Sequence, residues 1–507
     1  MPGTISGESG RPLATWQILL ILILPLLGFW TTGLLDLDEG FYGAVTGEML
    51  YRREWITPYF NGSPWFEKPI LLYWAAMPTV ALFGENVGPR LPSVLANLGL
   101  YWLIFKETRR YLGEFAATLT SVALATSLLV ALLGRLMMTD AILTLCLSLA
   151  FLMFYRSVQS GSMTDRWIAA TALGISVLAK GPVGGALFII LFGVTYWKEP
   201  ELREKFKGGW LIGIACFALM VSSWYVPAYL ANRDAFVQEF IIRQNIGRFT
   251  GGDAAHTITA FWGYFFYIPL IFLGAMPWSL TFFKKFPAPS DPKEAQFLRF
   301  CWRWFWTIFL FFSISKAKLP HYIYPLFPPL AMIVGYKLRQ IWTERGHVGF
   351  DLRVARAGIV TSAIVSAMFV FLLGEYYWQG SLVGNPIANP QGEAHRLIQL
   401  TRGKQEPIIA YQLSRRKRSL GTPSKLEETS LPSLTFYAQR PILTRETFTD
   451  LPDAPRFVIF TRQSRLGPQF LSDLDQAGLK AVPIQLDFAP KHYTVLEAIR
   501  EDTATTP

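Results

Sequence analysis

Acids and bases in this chain of 507 residues collect at the borders of long apolar runs, and those borders are where chemistry would have to happen. Asp38 and Glu39 stand in LDLDEGFYGAVTGEML, with Tyr42 one helical turn after Asp38. Glu67 and Lys68 stand in WFEKP, Asp140 in RLMMTDAILTL and Lys180 in LAKGPVGG. Lys316, Lys318, His321 and Tyr322 share SKAKLPHYIYP, and Arg243, Arg248 and His256 fall between 232 and 257. Several cations together suit a phosphate or diphosphate, because charge-assisted hydrogen bonds to phosphate oxygens are the strong ones. A carboxylate beside them suits a general base or a metal ligand. Each residue also has a simpler reading. Asp38 can be a helix N-cap, and the lysines can be interfacial anchors that snorkel. Six separate segments carrying such groups make that reading weaker. Taken alone, the pattern says phosphate-lipid enzyme or transporter and does not choose between them.

The elements that must position these groups are apolar helices. Hydrophobic residues make up 51% of the chain and charged residues only 16%, against about 25% charged in a soluble domain. Seventeen Trp and thirty-nine Phe suit lipid-facing surfaces and interfacial belts. Crossing the hydrocarbon takes about 20 apolar residues in a helix. Candidate spans are 14–35, 89–105, 115–134, 137–155, 166–180, 182–197, 208–231, 258–283, 297–315, 319–336 and 355–374. The stretch 70–83 is shorter and reads as a re-entrant or surface-lying helix. Eleven spans with the N-terminus inside put most loop Lys and Arg on the inner side, as the positive-inside rule asks. Counting 70–83 as a span would turn every later loop over. All the acids and bases named above then fall on the outer face. The net charge of +11 reads as topology-setting charge, not nucleic-acid binding.

The chain from 375 onward is polar, with short strand-like runs (PIIAYQL, RFVIFT, KAVPIQL) and SDLDQAGLK as a helix closing on a glycine. A small α/β domain over 375–507 is expected outside the membrane. Residues 1–374 would form the membrane domain, with outer loops 36–88 and 232–257. The run Arg415, Arg416, Lys417, Arg418 is a solvated loop or a contact for anionic headgroups. Cys146, Cys216 and Cys301 all lie in apolar runs, so a disulfide framework is not expected. The first apolar run is too long for a signal-peptide core and reads as a retained helix.

The order of these motifs resembles the bacterial GT-C glycosyltransferases related to the lipid A aminoarabinose transferase and, more distantly, the protein O-mannosyltransferases. LDLDEGFYGAVTGEML, WITPYFNGSPWFEKPILLYW, LFGENVGPRLPSVL, TDAILTL, LAKGP, IIRQNIGRF and SISKAKLPHYIYPLFPPLA carry it, over roughly residues 30–335. The resemblance implies a polytopic α-helical GT-C fold in the bacterial inner membrane, with its working face outward. It implies an inverting enzyme that moves a sugar from undecaprenyl phosphate to a lipid A, protein or glycan acceptor, and that works as a monomer. On that reading Asp38 is the catalytic carboxylate, with Glu39, Tyr42 and His321 nearby, and Asp140 is a second acid serving the acceptor. Lys68, Lys180, Tyr322, Lys318 and either Arg243 or Arg248 hold the carrier phosphate. Glu67 and His256 match positions that hold a metal in a relative, so Zn, Mg or Mn is admitted but none is required. The relatives' motif often reads DETRY where this chain has DEGFY, so Phe41 replaces an arginine. A flippase of lipid-linked sugars is the alternative. It would show internal repeats and broken helices meeting at the midplane, and the sequence shows no convincing repeat.

Overall fold

The computed structural model describes residues 14–36, 38–199, 208, 210–247, 261–283, 285, 289–344, 352–379, 390–413 and 431–501. Arg248, His256 and the basic run 415–418 lie outside them. The chain forms two compact units. One comprises Met1–Phe29, Phe66–Leu72 and Arg90–Phe369, the other Trp30–Trp65, Tyr73–Pro89 and Val370–Pro507.

The first unit is a helical bundle. Among the described residues four helices are long and apolar enough to cross a membrane: Thr139–Ser160, Trp210–Asn245, Pro292–Ile314 and Arg356–Gln379. They divide into two kinds. The apolar stretch of Thr139–Ser160 is 78% buried, but that of Trp210–Asn245 only 17%. The first is therefore a central post. The second turns Leu211, Ile214 and Leu219 outward, all well exposed. At about 25 cal/mol per Å² such a surface is costly in water, so it belongs against hydrocarbon. Aromatic packing fixes the centre: Phe151 meets Trp304 edge-on at 5.2 Å, and Tyr155 stacks on Phe300 at 4.3 Å.

Several expected spans come out differently, for local reasons. The run 14–35 is helical only over Thr15–Ile23 and a 3₁₀ turn Leu24–Leu26, since Pro25 and Gly28 (φ 78°) interrupt it. The runs 89–105 and 115–134 lie within Leu91–Thr126 and Leu128–Leu133; the longer helix changes direction at Gly113, whose φ of 81° most residues avoid. The run 258–283 is broken into Phe261–Phe265, Tyr267–Gly274 and Trp278–Phe283, with Pro269 and Pro277 in the sequence to break it. The run 319–336 begins as a 3₁₀ turn, Pro320–Leu326, and continues as Phe327–Glu344. Loop basic residues expected on the inner side are in part paired: Arg339 meets Glu294 at 2.7 Å, and Arg156 binds both Glu107 and Asp165.

The second unit is built around a five-stranded sheet in the order Ile442–Arg445, Ile408–Tyr411, Arg456–Arg462, Tyr493–Arg500, Leu479–Pro483. The first three strands are parallel and the last two join antiparallel. Strands form where the three apolar runs of the tail predict them. The helix Pro468–Gln476 stops just before Gly478, whose φ is 62°. The core comprises Ile409, Tyr411, Phe457, Ile459, Phe470 and Leu496. The same unit holds the helices Asp38–Arg52 and Leu71–Val87, the latter covering the stretch expected to lie on the surface, with its first two residues counted in the bundle. It also holds a small hairpin, Tyr59–Phe60 against Ser63–Pro64, turned by Asn61 and Gly62 at positive φ. The Asn61 amide accepts from the Ile442 backbone N–H at 2.7 Å and donates to its carbonyl at 2.8 Å, so the hairpin is tied to the sheet edge.

Candidate functional site

The structure sorts the expected site residues into two groups, one in each unit. In the helical unit, Lys180 is in the last turn of Met163–Lys180 and Asp140 in the first turn of Thr139–Ser160. Each charge sits at the helix end whose dipole favours it. Their side chains meet, with Lys180 Nζ 2.5 Å from Asp140 Oδ1. Asp140 is only 1% exposed. The ammonium also lies 4.5 Å from the centre of the Tyr322 ring, within cation–π range. Gly181 ends the lysine's helix at φ 83°, and a Cβ there would come within 2.7 Å of Asn245 Oδ1.

This stack borders a hollow of about 130 Å³. Glu67 and Lys68 line it from one segment, Gln244 and Asn245 from another, and Phe240, Phe311 and Phe312 supply apolar walls. Lys68 is buried, 3.9 Å from Glu67. The hollow thus joins two lysines, one tyrosine and a set of phenylalanines, which fits an anionic head on a hydrocarbon stem.

Other expected members of this group are placed elsewhere. Lys318 is buried with its ammonium donating to the carbonyls of Phe312 at 3.0 Å and Ser313 at 2.8 Å, and also to Ser315. Those carbonyls end the helix Pro292–Ile314, so Lys318 caps it and does not line the hollow. Arg243 projects outward on Val237–Gly247 and pairs with Glu239, 3.2 Å away on the same element. His321 is buried with its ring 4.9 Å from that of Tyr322. Gln244 and Asn245 are lining residues that sequence reasoning passed over, although both belong to the quoted segment IIRQNIGRF.

In the second unit, Asp38 opens the helix Asp38–Arg52 and is exposed. Glu39 is buried and accepts from the Leu35 N–H at 2.9 Å, which ties the start of the helix to the loop before it. Tyr42 is buried 6.5 Å from the Tyr73 ring. Phe41, the residue standing for an arginine, stacks on Trp65 at 5.0 Å and meets Phe60 edge-on. That position is a packing anchor for the hairpin and carries no charge.

The acid that sequence reasoning missed is Asp36. Its carboxylate accepts from the Ser433 N–H at 3.0 Å and the Ser433 hydroxyl at 2.6 Å, and its own N–H donates to Gln391 Oε1 at 3.1 Å. Ser433 Oγ is 2.7 Å from His395 Nε2, and His395 Nδ1 is 2.7 Å from the Tyr377 hydroxyl. His395 stacks on Tyr437 at 4.0 Å, and the Tyr437 hydroxyl accepts from the Leu34 N–H at 2.8 Å. Burial pushes the Asp36 carboxyl up to about 7; the Ser433 hydrogen bonds pull it back, and the charge of Glu39 adds to the rise. Residues 34–36 are thereby fixed by partners up to 403 positions away, while Asp38 keeps its exposure. The alternation Asp36-Leu37-Asp38 was the available signal.

Among the described residues no group of three or more His, Cys, Asp and Glu side chains could hold a metal ion. Glu67 lies 3.9 Å from Lys68.

Comparison with known proteins shows what the chain is similar to. Residues 67–226 match a family model described as dolichyl-phosphate-mannose-protein mannosyltransferase, under half of the chain. An undecaprenyl phosphate-alpha-4-amino-4-deoxy-L-arabinose arabinosyl transferase from Shewanella sediminis is 29% identical over 371 residues, covering 69% of this chain and 64% of that protein. The transferase of the same name from Edwardsiella ictaluri is 30% identical over 369 residues, covering 66% and 61%. The chain therefore spans less than two thirds of the length of these relatives. The crystal structure of ArnT from Cupriavidus metallidurans bound to undecaprenyl phosphate matches with a TM-score of 0.71 at 19% identity, covering 97% of this chain and 98% of that one. That likeness shows the fold: a multi-pass GT-C membrane protein.

Proposed function

We propose that this chain, with the GT-C fold of ArnT, is a glycosyltransferase that takes a sugar from a polyprenyl-phosphate carrier and places it on an acceptor hydroxyl at the outer face of the inner membrane. The observation that carries this reading is the hollow in the helical unit, where Lys68, Lys180 and Tyr322 meet phenylalanine walls. A phosphate is recognised by the lysines and a prenyl stem by the rings. The names of the relatives add undecaprenyl phosphate as the carrier.

The roles follow from chemistry. As the bond between sugar and phosphate breaks, negative charge grows on the phosphate, and preformed cations stabilise it. Lys68 and Lys180 take that role. Asp140, buried behind Lys180, is a positioning residue: it holds the ammonium against Tyr322 and is too enclosed to serve an acceptor. Asp38, exposed at its helix N-terminus, is the base that removes the proton of the acceptor hydroxyl, a contribution of about 10²–10⁴-fold. Residues 375–507 are read as an outer α/β domain, and the chain as a monomer. No step is routed through a metal.

The test is transfer from a radiolabelled undecaprenyl-phosphate sugar by the purified chain, with identification of the labelled product. A chain that binds the carrier but labels no lipid, protein or glycan would remove the enzyme reading and favour a flippase. Sidedness has its own test. A single cysteine at Asp453 should react with an impermeant thiol reagent in intact spheroplasts, and one at Lys198 should not; the reverse pattern would overturn the outer-face assignment.

A further inference from the structure

The second unit contains a cavity of about 260 Å³ that the proposed chemistry does not use. It is lined by Trp30, Gly33, Tyr377, Trp378, His395 and Gln399, among others. Two of these, His395 and Tyr377, belong to the hydrogen-bonded chain that starts at Asp36. Its floor is therefore held in place before any ligand arrives, which lowers the cost of ordering on binding.

Two glycines make the lining possible. A Cβ on Gly33 would sit 2.3 Å from the Tyr377 hydroxyl and 2.6 Å from that of Tyr437. A Cβ on Gly392 would sit 2.4 and 2.6 Å from two indole carbons of Trp378. The aromatic side chains thus press directly on backbone. Trp378 and Trp30 nonetheless remain about half exposed, at 53% and 44%.

The lining selects a ligand class. Carboxamide and hydroxyl groups beside partly open indoles match a sugar ring, which offers hydroxyls at its rim and C–H groups on its faces. Arg396, also at the cavity, pairs with Asp487 at 2.9 Å and lies over the Phe488 ring at 4.0 Å. One paired arginine brings less positive charge than the hollow's two lysines, so a phosphate is not the ligand favoured here. A prenyl chain is disfavoured by the polar groups. The volume falls just below the range of about 300–1,000 Å³ typical of drug-sized ligands, so one ring is the fitting size. The connectivity agrees: Trp378 ends the apolar helix Leu352–Gln379, and Trp30 follows the apolar helical turns Thr15–Leu26, which is where a membrane surface would present headgroups.

We infer that this cavity binds one neutral saccharide ring of the molecules that the transferase handles. The inference rests on the proposed function for the source of the ring, but not for binding itself. The experiment uses the full chain in nanodiscs made of phospholipids without sugar headgroups. Saturation-transfer NMR is recorded with methyl β-D-glucopyranoside and, separately, with sorbitol, an open-chain polyol. The parent should transfer saturation to the glucoside and not to sorbitol. Trp378→Ala removes an indole from the surface, and it should cut the glucoside signal about tenfold, the loss expected for one aromatic contact. Undecaprenyl phosphate binding measured on the same preparations should not change, which shows that the variant is folded. Equal signals from Trp378→Ala and parent, or from sorbitol and glucoside, would overturn the site and leave the indoles as interfacial anchors.

In the transfer assay, a raised KM for acceptor in Trp378→Ala, with kcat kept, would assign the ring to the acceptor. A raised KM for the donor would assign it to the carrier's sugar. Glucoside binding that depends on Trp378 in a chain with no transfer activity would keep the site and remove the proposed function.

Discussion

The hollow in the helical unit and the acid loop in the sheet-containing unit hold their charged groups by different means. Beside the hollow, Lys180 and Asp140 lie only 40 residues apart on consecutive helices, and a single ion pair at 2.5 Å joins them inside apolar packing. In the acid loop, Asp36 is fixed by Ser433, 397 residues away, and Ser433 in turn by His395 and Tyr377. The first arrangement concentrates its strength in one contact that cannot be halved. The second spreads it over a chain of neutral and charge-assisted hydrogen bonds. Removing one member should therefore do most harm in the hollow and graded harm in the loop.

The largest expected effect is on stability in the hollow. Lys180→Ala leaves the carboxylate of Asp140 buried without its cation, a loss of about 3–5 kcal/mol for a broken buried pair. The double change Asp140→Asn with Lys180→Met should restore most of the melting temperature, because two neutral groups need no charge partner. Carrier binding should stay weak in the double variant. If Lys180→Ala alone melts within a degree or two of the parent, the ion pair is not the structural unit described here.

Next in size is Asp38→Asn. Asn keeps the size of Asp and can still cap a helix, so loss of the Asp38 charge should leave the fold intact. Initial transfer rate should fall about 10²-fold or more with donor affinity kept, as loss of a general base requires. A parental rate would take Asp38 out of the mechanism and leave the hollow as the only part of the reading still standing.

Asp36 sharpens the contrast through pH. Burial pushes its carboxyl up from the ordinary 3.8 to about 7. A raised folded value means that the folded chain binds the proton more tightly than the unfolded chain does. The stabilisation is complete below 3.8 and is lost as pH rises to about 7, by at most about 1.4 kcal/mol per unit. Melting temperature against pH should fall across that window in the parent and run flatter in Asp36→Asn. Identical slopes would mean that Asp36 does not titrate as its burial demands.

These two regions were not equally legible in the sequence. Most helical stretches and three strands of the tail follow from local pattern, and Lys68, Lys180 and Tyr322 stand out at the ends of apolar runs, but the resemblance alone implied that they act together. Lys318 misled because its type and position suit a phosphate, whereas the carbonyls that it caps become visible only once the helix end is placed. Asp36, Ser433 and His395 escaped because nothing local distinguishes a serine 397 residues downstream as the partner of an acid. Phe41 was legible only as a departure; its packing against Trp65 gives the reason.

The smallest expected effect concerns Arg243, and it separates a surface pair from a binding group. Arg243 and Glu239 are both exposed, one helical turn apart, with side-chain exposures of 58% and 50%. Pairs of this kind contribute about 0.2–0.5 kcal/mol and weaken as salt rises. Arg243→Ala should therefore shift the melting temperature very little, and that shift should shrink at high ionic strength. Its effect on carrier binding should be equally small, because the hollow takes Gln244 and Asn245 from this element and not Arg243. Carrier affinity is measured by titrating undecaprenyl phosphate against parent and variant in the same nanodiscs. A loss of about tenfold or more, corresponding to 1.4 kcal/mol, would be larger than an exposed ion pair can supply. It would mean that Arg243 leaves Glu239 to reach the phosphate when the carrier binds, so that the hollow, unlike the acid loop, would rely on a partner from outside its resting contacts.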